Sequence, residues 1–186
     1  TVPGLKNPQG NMLRFNTNVD LAALGGQGGA ARIHVSNPSD STAGNKYYAS
    51  FVLKVTDLTG LTNSSSGVVF GGFNNSVGTV VNPNTPTTLL TRLFIRTNQA
   101  SVANAYNIGI AKHAAGSLDT LANWYGSNFG PDDIVHIVVK YEIVSGTAND
   151  VVSMWVNPSV ENMGTNAEPA ADITVPIAST SDAGLA

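Results

Sequence analysis

Apolar and polar residues alternate most regularly between Ile134 and Val144. Val135, Ile137, Val139, Tyr141 and Ile143 share one side there, and His136, Val138, Lys140 and Glu142 the other. An extended strand points successive side chains to opposite faces, so this run predicts a central strand with a sealed inner face. The same period recurs from Tyr47 to Val55, with Tyr47, Ala49, Phe51, Leu53 and Val55 on one side. It recurs from Leu89 to Thr97, where Thr91, Leu93 and Ile95 oppose Arg92, Phe94 and Arg96, and in shorter runs at Ala31 to Val35 and Tyr106 to Ile110. Val68 to Phe73 reads as a strand bent at its glycines. Val151 to Val156 is the partner of the Ile134 strand across the loop Ser145 to Asp150, and Asn157-Pro158 stops it. Ile173 to Ile177 is the last candidate. Gly116 to Gly130 is irregular, with a helical turn from Ser117 to Asn123 capped by Ser117.

About nine short strands separated by Gly, Asn and Pro turns, without a long helical period, predict an all-β sandwich or barrel. Composition agrees: 20 Asn, 17 Thr, 16 Ser and 19 Gly are turn and surface residues rather than helix formers. The 186 residues suit one domain over 1–186. Charged residues are only 11% and the formal charge is -3, which leaves no basic footprint for nucleic acid. No run reaches the roughly 18 apolar residues of a membrane-spanning helix. The chain starts at Thr1 without a basic-then-apolar leader and so reads as mature or trimmed. With no cysteine there is no disulfide framework, thiolate metal site or cysteine nucleophile.

Three stretches carry a family likeness. Ile134 to Ser159, a long alternating strand, a Ser-Gly-Thr-Ala-Asn-Asp loop and the strand Val151-Val152-Ser153-Met154-Trp155-Val156, resembles the hairpin of LamG-like, concanavalin A-like jelly-roll modules of secreted multi-domain bacterial proteins. Tyr47 to Thr56 is similar to an early core strand of that family, and Tyr106-Asn107-Ile108-Gly109-Ile110 to the strand before its long connection. The resemblance spans about Met12 to Pro158 and implies a two-sheet antiparallel β-sandwich, the jelly roll, exported to the medium or cell surface. It implies ligands on a concave face or rim loops, with no specific activity attached. Such modules continue past the equivalent of Ile177 into another apolar strand, whereas Ser179 to Ala186 is small and polar. The C-terminal edge is therefore expected to be incomplete, or closed by Met12 to Phe15 or by a neighbouring molecule, and an open edge invites self-association.

The candidate chemistry is sparse. Glycosidases need two carboxyl groups about 5–9.5 Å apart, yet Glu142, Glu161 and Glu168 have no acid two residues away, and adjacent Asp132 and Asp133 would point to opposite faces. A polysaccharide lyase needs a base beside a cation. Arg92 and Arg96 would share an exposed face with His136 and Lys140 if their strands neighbour one another, with Phe94 as a stacking surface; the alternative is an ordinary solvated face. His34, His113 and His136 have no zinc spacing. A structural calcium suits the loops better than zinc, through Asp119, Asp132, Asp133, Asn149 and Asp150, the alternative being that Asp and Asn populate turns for backbone reasons alone; no cofactor is required. Sugar recognition needs an aromatic plate and planar amides, which Asn123, Trp124 and Tyr125 supply with Asn128 nearby; Trp124 alternatively plugs the end of the sandwich. Trp155 reads as packing. No Gly-x-Ser-x-Gly elbow occurs, and Gly25 to Gly29 lacks a phosphate-loop lysine. The expectation is a noncatalytic secreted or cell-surface module that binds a glycan or surface polymer. The alternatives are a fibre or surface-layer subunit joined through strand edges, and a lyase or hydrolase.

Overall fold

The structure is a computed structural model and describes residues 42–61, 63, 67–74, 89–97, 102–112, 122–146, 149–162 and 167–175. Among the described residues eight strands follow in order: β1 Lys46–Lys54, β2 Val68–Asn74, β3 Leu89–Thr97, β4 Tyr106–Lys112, β5 Asn123–Trp124, β6 Ile134–Glu142, β7 Val151–Val156 and β8 Ile173–Val175. They form two antiparallel four-stranded sheets, ordered β1-β6-β7-β8 and β2-β3-β4-β5. The protein is an all-β, two-sheet sandwich. The strand at Ala31 to Val35, the turn capped by Ser117 and the C-terminal edge at Ser179 to Ala186 lie outside the described residues. Asn123, the end expected of that turn, is extended and opens β5.

The alternation along β6 sets the core. Val135, Ile137, Val139 and Tyr141 are fully buried, and Val152 and Met154 of β7 lie beside them. From the other sheet, Leu93, Ile95, Ile108 and Ile110 complete the same cluster, with β4 lying across from β7 and β8. Burying an aliphatic or aromatic side chain of this size contributes about 1.5–3 kcal/mol. Phe51 of β1 meets Phe70 of β2 edge-on at 6.3 Å, which joins the two sheets across the sandwich at the strands that end them among the described residues.

Phe70 reaches the core only because β2 is irregular. The register with β3 shifts between Val69 and Gly71, and that extra residue changes the parity of the strand. Phe70 and Phe73, three apart, therefore both pack against the core, which an ideal strand forbids.

The β6–β7 hairpin is pinned from inside. The buried Asp150 carboxylate accepts hydrogen bonds from the Tyr141 hydroxyl through one oxygen and from the Val144 N–H, at 2.9 Å, through the other. At the opposite end Asn157 adopts a left-handed conformation, φ 51°, which asparagine tolerates better than most residues. Its N–H donates to the His136 carbonyl and its Oδ1 accepts from the His136 N–H, so the ladder is continued by a side chain where Pro158 ends the strand. Asp150→Ala is expected to lower stability by about 1–3 kcal/mol, because it strands a buried tyrosine hydroxyl and a backbone donor. Denaturant unfolding of the variant, compared with Asn149→Ala in the same loop, checks this.

Candidate functional site

Neither outer face of the sandwich is the plain solvated surface that alternation suggests. On the outside of β3, β4 and β5 lie Arg92, Phe94, Arg96, Asn107, Gly109, Ala111 and Trp124, and Arg92 and Phe94 are buried. On the outside of β6 and β7, His136, Lys140, Ser153 and Trp155 are buried as well. Arg92 and Arg96 belong to one sheet, His136 and Lys140 to the other, and all four turn away from the core. The shared cationic face that a lyase would use is therefore not assembled, and Phe94 is no exposed stacking plate. Strand pairing over long sequence distance decided this, and local alternation carries no such information.

The sequence treated Trp124 and the arginines as separate features, and the fold brings them together. Trp124 sits on β5, the last of its sheet among the described strands, opposite Gly109 of β4. A methyl group at Gly109 would come within 2.8 Å of indole Cε3, and one at Gly67 within 2.6 Å of Cη2, so two glycines make the indole's seat. The Arg96 guanidinium lies 3.7 Å from the ring centroid, and Phe94 meets the ring at 6.3 Å in an edge arrangement. Cation–π contact of this kind is worth about 0.5–2 kcal/mol. Burial pushes both arginine pKa values down from their ordinary value. Asn123 precedes Trp124 on β5 but pairs with the inward-facing Ile110, so it stands on the opposite face of the strand from the indole; it is exposed, as is Asn128.

Tyr125 takes the other direction. It is half-buried, packs against the core and stacks on Phe129 at 5.8 Å with an interplanar angle of 5°. The segment is fastened along β4 by Tyr125 N–H to the Ile108 carbonyl, by paired bonds between Tyr106 and Phe129, and by the Asn107 amide donating to the carbonyls of Tyr125 and Ser127, both at 2.8 Å. Tyr106 is fully buried, and burial, with Asp133 adding to it, pushes its hydroxyl up to about 12.

The outside of the other sheet holds a cluster that sequence reasoning missed. Lys140 Nζ lies 2.6 Å from Glu168 Oε1 and 2.9 Å from Glu142 Oε2. The Tyr48 hydroxyl donates to Glu168 Oε2 at 2.7 Å, and Lys46 approaches both glutamates at 3.7 and 3.8 Å. Lys140 stands 5.8 Å from the Trp155 ring centroid, and the Trp155 N–H donates to the Pro169 carbonyl. Residues 167–172 thus strap the outer face, with Asp172 Oδ2 accepting from the Val156 N–H. Glu142 and Lys140 announce themselves two apart on β6, but Glu168 is 28 residues away from Lys140 and no spacing signals it.

Two carboxylates do meet here, but around an ammonium ion. Burial alone would raise the Glu168 pKa, and the hydrogen bonds from Lys140 and Tyr48 with the charges of Lys140 and Lys46 hold it below the ordinary value. A glycosidase acid needs the opposite shift. Nearby, His136 Nε2 is 2.8 Å from Ser50 Oγ, and burial keeps the imidazole pKa low. A base next to a hydroxyl is half of a nucleophile pair, but among the described residues no acid side chain orients the ring.

Of the calcium candidates, Asp119 lies outside the described residues. Asp132 pairs with Lys54 at 3.0 Å, Asp133 accepts from the Gly130 N–H at 2.7 Å, and Asp150 holds the hairpin. Among the described residues no three His, Asp or Glu side chains gather in reach of one metal ion, and no helix is long and apolar enough to cross a membrane.

Two expectations follow. Gly109→Ala displaces the indole from its seat, with a loss of about 1–3 kcal/mol and a changed tryptophan near-ultraviolet signal, whereas Gly126→Ala, with open space around it, changes neither. Near-ultraviolet circular dichroism with denaturant unfolding reads both. The second concerns pH. A depressed carboxylate contributes stability above its unfolded pKa and loses it as pH falls through the folded value, and Lys140, whose pKa is raised because its two glutamate partners outweigh burial, contributes stability that is lost only as pH rises through its folded value. Thermal unfolding from neutral to acidic pH is therefore expected to fall less steeply in Glu168→Gln than in the wild type.

Comparison with protein-family models, curated proteins and solved structures finds no match for the chain.

Proposed function

We propose that the chain is a noncatalytic binding module, LamG-like in the jelly-roll sense, that acts in the medium or at a cell surface and takes a glycan or surface polymer as ligand. The carrying observation is the array at the rim of the second sheet: Trp124 held by Gly109, Gly67 and Phe94, with the Arg96 guanidinium over its ring. An aromatic ring and a planar fork of donors, fixed before a ligand arrives, are parts that polyhydroxylated ligands use. Because the guanidinium already occupies the ring, the sugar is met by its donors and by the ring edge rather than by an open aromatic face.

The test is affinity electrophoresis through gels containing a panel of neutral and acidic polysaccharides. At least one polymer is expected to retard the wild type, and Trp124→Ala is expected to bind it about tenfold or more weakly, the effect of losing an aromatic anchor. Migration unchanged across the panel, or retardation indifferent to Trp124→Ala, refutes the reading.

A structural subunit is the second reading. It is supported by β1 and β2, each at the end of its sheet order among the described strands, with Tyr48, Val52, Val68 and Val69 exposed along them. Native size measurement separates the two: large, denaturant-resistant assemblies favour the subunit, a monomer the binder.

A further inference from the structure

We infer that Lys140, Lys46 and Tyr48 form a carboxylate-binding site for acidic polymers on the outer face of β1 and β6, and that the protein's own Glu168 fills it as an internal competitor. The site is distinct from the Trp124 rim and does not rest on it, since the two lie on opposite sheets.

The Glu168 carboxylate is held as a ligand would be. One oxygen takes the Lys140 ammonium at 2.6 Å, the other takes the Tyr48 hydroxyl at 2.7 Å, and the Lys46 ammonium stands 3.8 Å from that second oxygen. The Trp155 ring lies 5.8 Å from the Lys140 ammonium and is buried, so it backs the cation from within rather than meeting the ligand. An acidic sugar brings the carboxylate that such charged and hydroxyl donors recognise.

The geometry also allows exchange. Glu168 is exposed, with a side chain 32% accessible, while the Lys140 side chain beneath it is only 7% accessible. Without Glu168, Lys140 and Lys46 bring two positive charges against the one carboxylate of Glu142, at 2.9 and 3.7 Å, so the vacated position calls for an anion, but not a particular one. The rest of the strap is fastened without Glu168: the Pro169 carbonyl accepts from Trp155, Asp172 accepts from Val156, and β8 pairs with β7. Glu168 can therefore swing out without unzipping β8, and an incoming carboxylate takes over the Lys140 and Tyr48 contacts that it vacates.

The experiment uses the full chain with polygalacturonate as the acidic probe and dextran as the neutral control. Glu168→Gln is expected to bind polygalacturonate about tenfold tighter than the wild type, to keep that gain in the Trp124→Ala background, to lose it with Lys140→Met, and to leave dextran binding unchanged. A folded Glu168→Gln protein with wild-type affinity overturns the inference, as does a gain that Trp124→Ala abolishes. Should Glu168→Gln fail to fold, hydrogen exchange on the wild type decides: saturating polygalacturonate is expected to speed exchange in 167–170, and unchanged or slower exchange there overturns the inference.

Discussion

The row Val135, Ile137, Val139 and Tyr141 hanging from one face of β6 is the constraint from which the other elements take their places. A nine-residue strand with that row has to be covered along its length, and here a second sheet with its own alternating inner face covers it. β3 and β4 supply that face through Leu93, Ile95, Ile108 and Ile110. β7 extends the row sideways with Val152 and Met154. The hairpin that brings β7 into register is held at one end by Asp150 and at the other by Asn157. Polar side chains therefore do their work at the ends of the core strand, where the backbone ladder would otherwise stop with donors unmet.

The outer faces impose a second condition. Once 167–172 lies across β6 and β7, and 122–130 runs beside β4, polar groups on those faces lose much of their water, and each requires a protein partner. Lys140 takes Glu168 and Glu142, His136 takes Ser50, and Asn107 takes two carbonyls. The same requirement makes the chemistry of the two faces different. One is a network of opposite charges under a strap, the other an arginine stacked on a tryptophan over glycine. Binding can be built from either, but in the first the chain already provides its own anion.

The strands and the inward rows could be read from the sequence because a buried sheet face writes itself as a two-residue period, as at Ile134 to Val144 and Leu89 to Thr97. Phe70 shows where that reading breaks: the bulge in β2 shifts parity, and Phe70 and Phe73 end on one face although they are three apart. The candidate chemistry was less legible for a different reason. Arg92, Arg96, His136 and Lys140 each declare a face, but not a sheet, and the assignment of β3 and β6 to different sheets is fixed by pairings far apart in the chain. Trp124 was legible as a candidate and its contact with Arg96 was not. Glu168 was invisible as a partner of Lys140, since nothing near it in sequence differs from any exposed loop glutamate. Tyr125 was read with Trp124 because they are adjacent, but once β5 is extended, adjacency places them on opposite sides.

Amide hydrogen exchange resolved by residue tests most directly whether β6 is the strand on which the core is built. Amides of β6 and of β7, β3 and β4 are expected to exchange slowest and together, at the rate set by global unfolding, with β1, β2 and β8 opening earlier as sheet edges. Exchange of Val139 and Tyr141 at the rate of β1, or ahead of it, would contradict a sandwich organised around that strand.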